Sequence, residues 1–483
     1  MQGFRANLIR VLRLTPFRWR KGLLKSVCAG LTMSLVLTPL AATAQDIDPD
    51  SQSVIRDTEI ETFLKTQTRP VLAAAGLNPD DVHYLLIASS DLNAFSTFRL
   101  VIGLNTGLIM EADNPNQLFG VIAHETGHLS GGHMMRTDEI ERAGRAPMAI
   151  SLGLGIVAAL AGAPQAGLGI AASSPTFGAL NQLHYMQTEE SAADVAGVKA
   201  MEKAGMSGKG LVDFFYKFRN VETFSHAERY EFFRTHPLSR ERIQALTDFA
   251  KKQPHYNTPD DPAVIAQFAI VKAKLAGFLD DPIKTFQLYP ETDHSFAARY
   301  ARVIATYKQG NWDKAISDLD ALIQENPDNP YLWELKGQIY FETGRPQLAK
   351  PAHEKSVELM PTAALLQLNL GQTLIAIGDK DDLNEAVQHL QASIKYEEDD
   401  GFTWEQLAQA YDALKQPGLA RLATAEAQFY EGDYNAARTS AVWSQKYFDP
   451  QSPEFRRARD IVMTTSSEMG IAPVDGETKR RHP

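Results

Sequence analysis

The pattern of apolar and polar positions divides the chain into a mixed front half and a repetitive, helical back half. Residues 51–79 read as a helix that stops at Gly76-Leu77-Asn78-Pro79. The run Val82–Ala88 then predicts a buried strand, and Phe98–Leu104 predicts a second. Between them, Asp91-Leu92-Asn93-Ala94-Phe95 carries the polar punctuation of a turn. A helix start follows, because Asn114 can cap, Pro115 suits the first helical position and Gln117 stands three residues after the cap. Leu118, Val121, Ile122 and Leu129 give that helix its packed positions, and Gly131-Gly132 should end it. Two more helices are expected at about 186–201 and 208–220, before a linker-like stretch from Gln253 to Pro262.

Two segments raise the question of a membrane. Residues 146–172 are almost purely Ala, Gly, Leu and Ile, broken by Pro164. This is too glycine-rich and interrupted for a confident span, and it predicts a closely packed helical hairpin or a lid. Weak membrane contact is the alternative. Residues 1–44 have a basic start, an apolar stretch from Val27 to Leu37, and small residues at Ala42 and Ala44. That is the layout of a secretion signal cleaved after Ala44, with an uncleaved anchor as the other reading. The only cysteine, Cys28, lies inside this signal. A mature chain would have no thiols, so it could form neither disulfides nor zinc–thiolate sites.

The back half repeats with a period of 34 residues. Pro327 precedes Pro361, Ala315 precedes Ala349 and Gly337 precedes Gly371 by that interval. Trp333, Gly337, Tyr340, Ala349 and Pro361 fall at tetratricopeptide positions, and Trp404, Ala408, Tyr411, Ala420 and Ala427 mark another unit. The third unit carries about three extra residues near Gly378–Asp382, and Gly432–Ala437 begins a partial one. The expected organisation is a signal at 1–44, a first domain at 45–254, a connection at 255–292, repeats at 293–449, and a C-terminal helix and tail at 450–483.

Charge narrows the partners. The 483-residue chain has a formal net charge of -11, but all seven charged side chains of residues 1–44 are basic. Without them 41 basic residues face 59 acidic ones, a net charge of -18. Such a surface repels nucleic acid and anionic lipid headgroups.

The sharpest chemical signal is His124-Glu125-Thr126-Gly127-His128. On a helix, positions four apart share a face, so both imidazoles can reach one ion, and Glu125 stands beside that face. Two histidines leave a tetrahedral site underfilled. Glu190 is the candidate third ligand, and Asp194, one helical turn on, can steady a ligand histidine. Glu189-Glu190 equally suits a solvated acidic helix start. His133, five residues past His128, falls off the ligand face and reads as structural.

Asp91…Asn93-Ala94-Phe95, Asn105-Thr106-Gly107-Leu108-Ile109, His124–His128, Glu190-Ser191-Ala192-Ala193-Asp194 and Thr235-His236-Pro237 stand in that order. Together they resemble the His-Glu-x-x-His peptidase family of prenyl-protein proteases, heat-shock membrane proteases and mitochondrial Oma-type proteases. With the signal and the repeats, the chain resembles the soluble periplasmic branch of that family. The resemblance covers residues 85–245 by motif and the rest by architecture. One departure is that Ser96-Thr97-Phe98-Arg99 stands where the family commonly has a Pro-Gly-Gly turn, which bears on cleavage preference.

The resemblance implies a mainly α fold with a small β-sheet, a gluzincin-like α+β metalloprotease domain followed by an α-solenoid. It implies one Zn2+ per chain on His124, His128 and Glu190, with Glu125 as catalytic base and Asp194 behind the ligands. His236 and Arg242 match a family element near the active site. His236 would stabilise the oxyanion or occupy zinc in a closed state, Arg242 would bind substrate carbonyls, and structural roles for both are equally open. The implied setting is the periplasm, with outer-membrane proteins or their assembly machinery as clients and no stable membrane span in the mature chain. The competing reading is a chaperone-like repeat scaffold with a latent protease domain.

Overall fold

The computed structural model describes residues 10–12, 53–97, 99–132, 148–152, 154, 164–219, 232 and 235–471. Cys28, the cleavage position after Ala44, His133 and most of 146–163 lie outside them. The chain forms two compact units, one of Ile60–Leu275 and one of Met1–Glu59 with Ala276–Pro483.

In the first unit, His83–Ala88 (β3) pairs parallel with Val101–Asn105 (β5), and Ala94–Thr97 (β4) pairs antiparallel with β5. The polar punctuation of Asp91–Phe95 predicts a turn reaching into Ala94–Thr97. That stretch becomes a strand because Phe95 sits opposite Gly103, where the missing side chain leaves room for its ring. The second strand accordingly starts at Val101, three residues later than the apolar run suggests.

The unit's helices are Thr58–Ala74 (α1), Thr106–Glu111 (α2), Pro115–Gly131 (α3), Pro164–Lys203 (α4), Lys209–Phe218 (α5), Arg240–Ala250 (α6) and Pro262–Leu279 (α7), the first and last running across the unit boundary. The start of α1 differs from the single helix expected from residue 51, because Ser53-Val54-Ile55-Arg56, with its β-branched pair, is a strand (β2). The helix expected at 186–201 is the last part of α4, which reaches back to Pro164.

The core of this unit is α3. Every residue from Pro115 to His128 is buried, as expected of a helix covered on all sides. Its caps follow the sequence: the Asn114 side chain accepts from the Gln117 N–H, and Gly132 closes the helix at φ 64°. The Gln117 side chain in turn accepts from the Asp113 N–H at 2.9 Å. Asn116 ties α3 to α5, donating to the Ser207 carbonyl at 2.9 Å and accepting from the Gly210 N–H at 2.7 Å. Phe63 of α1 packs on Phe119 with ring centroids 5.8 Å apart. Among the described residues, α7 is the one helix long and apolar enough to cross a membrane. It nevertheless carries Lys272, which donates to the Ala112 carbonyl at 2.9 Å, and the buried Lys274.

In the second unit, helices come in pairs: Phe296–Lys308 with Trp312–Glu325, Pro330–Glu342 with Pro346–Leu359, Ala364–Ile377 with Lys380–Tyr396, and Gly401–Ala413 with Pro417–Tyr430. Small residues at the repeat positions, Ala315, Ala349, Ala386 and Ala420, are buried where the paired helices meet. The second helix of the third pair has 17 residues where the others have 14, which accommodates the extra residues read near Gly378–Asp382. Tyr434–Ser444 and Pro453–Met469 complete the array. Arg10–Leu12 (β1) pairs antiparallel with β2 in this unit, Arg10 opposite Arg56.

Candidate metal centre

Two helices supply the centre, and their glycines set how closely they approach. A Cβ on Gly127 of α3 would lie 2.5 Å from the Ala193 carbonyl oxygen of α4. A Cβ on Gly197 of α4 would lie 2.7 Å from the Ala123 carbonyl oxygen of α3. Only glycine at both positions lets the two backbones touch. That contact carries Glu190 and Asp194, one turn apart on α4, up to the face of α3 that bears His124 and His128.

The donor atoms converge. His124 Nε2 and His128 Nε2 are 3.1 Å apart. Glu190 Oε2 lies 3.4 Å from His124 Nε2, and its Oε1 lies 3.3 Å from His128 Nε2. Donors bound tetrahedrally at about 2.0–2.1 Å are separated by about 3.3–3.4 Å, so these three groups fit the edges of one metal polyhedron. His236 joins them, its Nδ1 standing 3.2 Å from His124 Nε2 and 2.9 Å from Glu190 Oε1. All four ligand atoms lie within 4.8 Å of one another, and all four residues are buried. His236 reaches the cluster from the turn before α6. Its N–H bonds the Phe232 carbonyl at 2.8 Å, and the Phe232 N–H bonds the Leu92 carbonyl at 2.9 Å.

Behind the cluster is a charged support. Asp194 Oδ1 lies 2.9 Å from His124 Nδ1, the ring nitrogen turned away from the cluster. The Arg242 guanidinium grips Asp194 with both prongs, Nε to Oδ2 at 2.7 Å and Nη2 to Oδ1 at 2.9 Å. Its Nη1 also donates to the Pro237 carbonyl at 2.9 Å and lies 3.0 Å from Glu190 Oε2. Arg242, for which the resemblance leaves substrate binding and a structural role equally open, is engaged with the two carboxylates of the centre. This bidentate pair gives no sign in the spacing of the residues, which are 48 positions apart.

These contacts fix the charges. Burial opposes ionisation of Glu190, yet the His236 charge and the histidine hydrogen bonds hold its carboxyl well below the usual range. Asp194 is lowered in the same way, burial being outweighed by Arg242 and His124. Burial also disfavours charge on His124, but Asp194 and Glu190 raise its pKa to about 9. Burial lowers the pKa of His128. The pocket therefore holds two carboxylates ready to balance a cation, and any metal that binds must displace the His124 proton. Glu125 is 1% exposed, with Oε1 3.5 Å from His236 Nε2, so its carboxylate borders the cluster without joining it.

A buried His-His-Glu set on two touching helices, beside an additional carboxylate, defines a metalloprotease, and residues 59–250 match Peptidase family M48. Residues 300–356 match a tetratricopeptide repeat. The chain thus joins a segment that matches this peptidase family to a segment that matches a tetratricopeptide repeat. It is similar to the beta-barrel assembly-enhancing protease of Escherichia coli (strain K12), 25% identical over 400 residues that cover 80% of this chain and 79% of that one. The protein of the same name in Yersinia pestis is 24% identical over 334 residues, covering 67% of each chain. The metalloprotease YcaL of Escherichia coli (strain K12) is 31% identical over 173 residues, covering 36% of this chain and 63% of the relative.

Proposed function

We propose that the chain is a zinc-dependent endopeptidase of the periplasm. It would cleave misfolded or stalled envelope proteins, with the repeats binding the client or a partner in outer-membrane protein assembly. The observation that carries the reading is the set of 3.1–3.4 Å separations among His124, His128 and Glu190. The outer-membrane setting rests on the name and the 80% coverage of the Escherichia coli relative.

His124, His128 and Glu190 would hold one zinc ion. When bound, zinc supplies Lewis acidity that brings the pKa of water to about 7 and polarises a carbonyl. Glu125 takes the proton of the attacking water and passes it to the leaving amine nitrogen. Asp194 fixes His124 through Nδ1, and Arg242 holds Asp194 in place. The strand β4 stands last in the sheet order, and its outer edge has no strand partner among the described residues. An extended substrate adds to that edge by main-chain hydrogen bonds.

The test is cleavage of casein or an unfolded envelope protein by the purified full chain. Activity should disappear on chelation and return with zinc. Cleavage that persists undiminished in excess chelator contradicts the proposal.

His236 adds a resting state. Its Nδ1 lies 3.2 Å from His124 Nε2 and 2.9 Å from Glu190 Oε1, so His236 would help hold the metal in place of water. His236→Ala should raise basal casein cleavage several-fold, whereas a fall would assign the ring to oxyanion stabilisation. The same geometry favours the second reading, a repeat scaffold whose protease domain is latent.

A further inference from the structure

The repeat unit also includes residues 53–59 of its own chain, far from the repeats in sequence. Three contacts place this segment along the array. Arg56 Nη2 donates to Glu397 Oε2 at 2.6 Å, just after the third pair of helices. Thr58 Oγ1 donates to Glu334 Oε1 at 3.2 Å in the second pair. Tyr300 Oη donates to Glu59 Oε2 at 3.3 Å in the first. The segment thus crosses three repeats in order, running against their direction. Tyr300, Glu334 and Asn369 stand 34 and 35 residues apart on the first helices of successive pairs, so they line one face. Asn369 donates to the same Glu334 Oε1 at 3.1 Å. Asp57, Thr58 and Glu59 are buried, as is Glu334. A carboxylate is buried on a helix face only where donors meet it, so this is a built polar site.

We infer that the face formed by the first helices of the repeats is a polypeptide-binding site, occupied intramolecularly by Arg56–Glu59. The partner it fits is a segment that passes from a strand into the first turn of a helix and presents a cation, then a hydroxyl two residues on, then a carboxylate, and it binds by displacing the chain's own copy. The inference rests on reading the repeats as a protein-binding module, and it names the surface and the occupant that guards it. The ion pair at the end of the segment is partly exposed, with side chains 16% and 23% accessible, so it is the point where displacement starts.

The test uses the full chain, hydrogen exchange and a fluorescent peptide of the sequence Ser53–Glu59 added in trans. In Arg56→Glu the amides of 53–59 should exchange at least tenfold faster while those of the repeat helices stay protected, and the peptide should bind at least tenfold tighter than to wild type. The double exchange Arg56→Glu with Glu397→Arg should restore both. Segment amides that exchange in wild type as fast as in the free peptide overturn the inference. Faster exchange in Arg56→Glu with no gain in peptide binding also overturns it, and leaves client binding by another repeat surface intact.

Discussion

Glu125→Gln should lower casein hydrolysis by about three to four orders of magnitude while metal content stays at the wild-type level. Glutamine keeps the shape of the buried side chain, which is 1% exposed, but cannot accept the proton of an attacking water. Glu125 is outside the donor cluster, so its loss leaves His124, His128 and Glu190 unchanged. The same variant separates the enzyme from the scaffold. If Glu125→Gln supports client turnover and envelope integrity as well as wild type, the repeats act alone and the protease domain is latent. Loss of both with metal retained assigns the function to hydrolysis.

The second large effect concerns a residue that holds no metal. Gly127→Ala should destabilise the catalytic unit by about 2–3 kcal/mol, because the new methyl meets a carbonyl oxygen of α4 at 2.5 Å, and a helix backbone has no alternative rotamer. For a unit of this size that is a fall in melting temperature of about 5–10 °C, measurable by calorimetry. The relaxation that relieves the clash moves α4 away from α3, and Glu190 with it. Metal affinity should therefore fall together with stability. A variant that melts like wild type and binds metal equally well would show that the close approach of the two helices is not what brings Glu190 to the histidines.

These two residues mark what the sequence displays and what it hides. The helix bearing His124 and His128 is legible because its cap, its initial proline and its terminal glycine are all local signals, and the structure reproduces each. The repeats are legible because a fixed period compares the chain with itself. Glu190 could be picked out as a candidate, but its alternative as a solvated helix start was equally good, since the decision depends on how near another helix comes. Gly127 and Gly197 make that decision, and glycine inside a helix reads first as a weakness rather than as a contact. Arg242 illustrates the same limit. Its partner Asp194 is 48 residues away, and nothing local distinguishes a guanidinium that meets substrate from one that braces a carboxylate. At Ala94–Thr97 the turn expectation gives way because a pairing partner elsewhere in the chain, Val101–Asn105, makes those residues a strand, and at Ser53–Arg56 the helix expectation gives way to the β-branched Val54-Ile55 pair.

The most direct test of the account is the metal content of the purified full-length chain, by elemental mass spectrometry, beside His124→Ala and Glu190→Ala. Zinc near one ion per chain in the wild type, and below a tenth of that in both variants with the fold retained, is the predicted result. Full zinc occupancy in Glu190→Ala, or none in the wild type after growth and purification with zinc present, would contradict a centre built from two imidazoles of one helix and a carboxylate of the next.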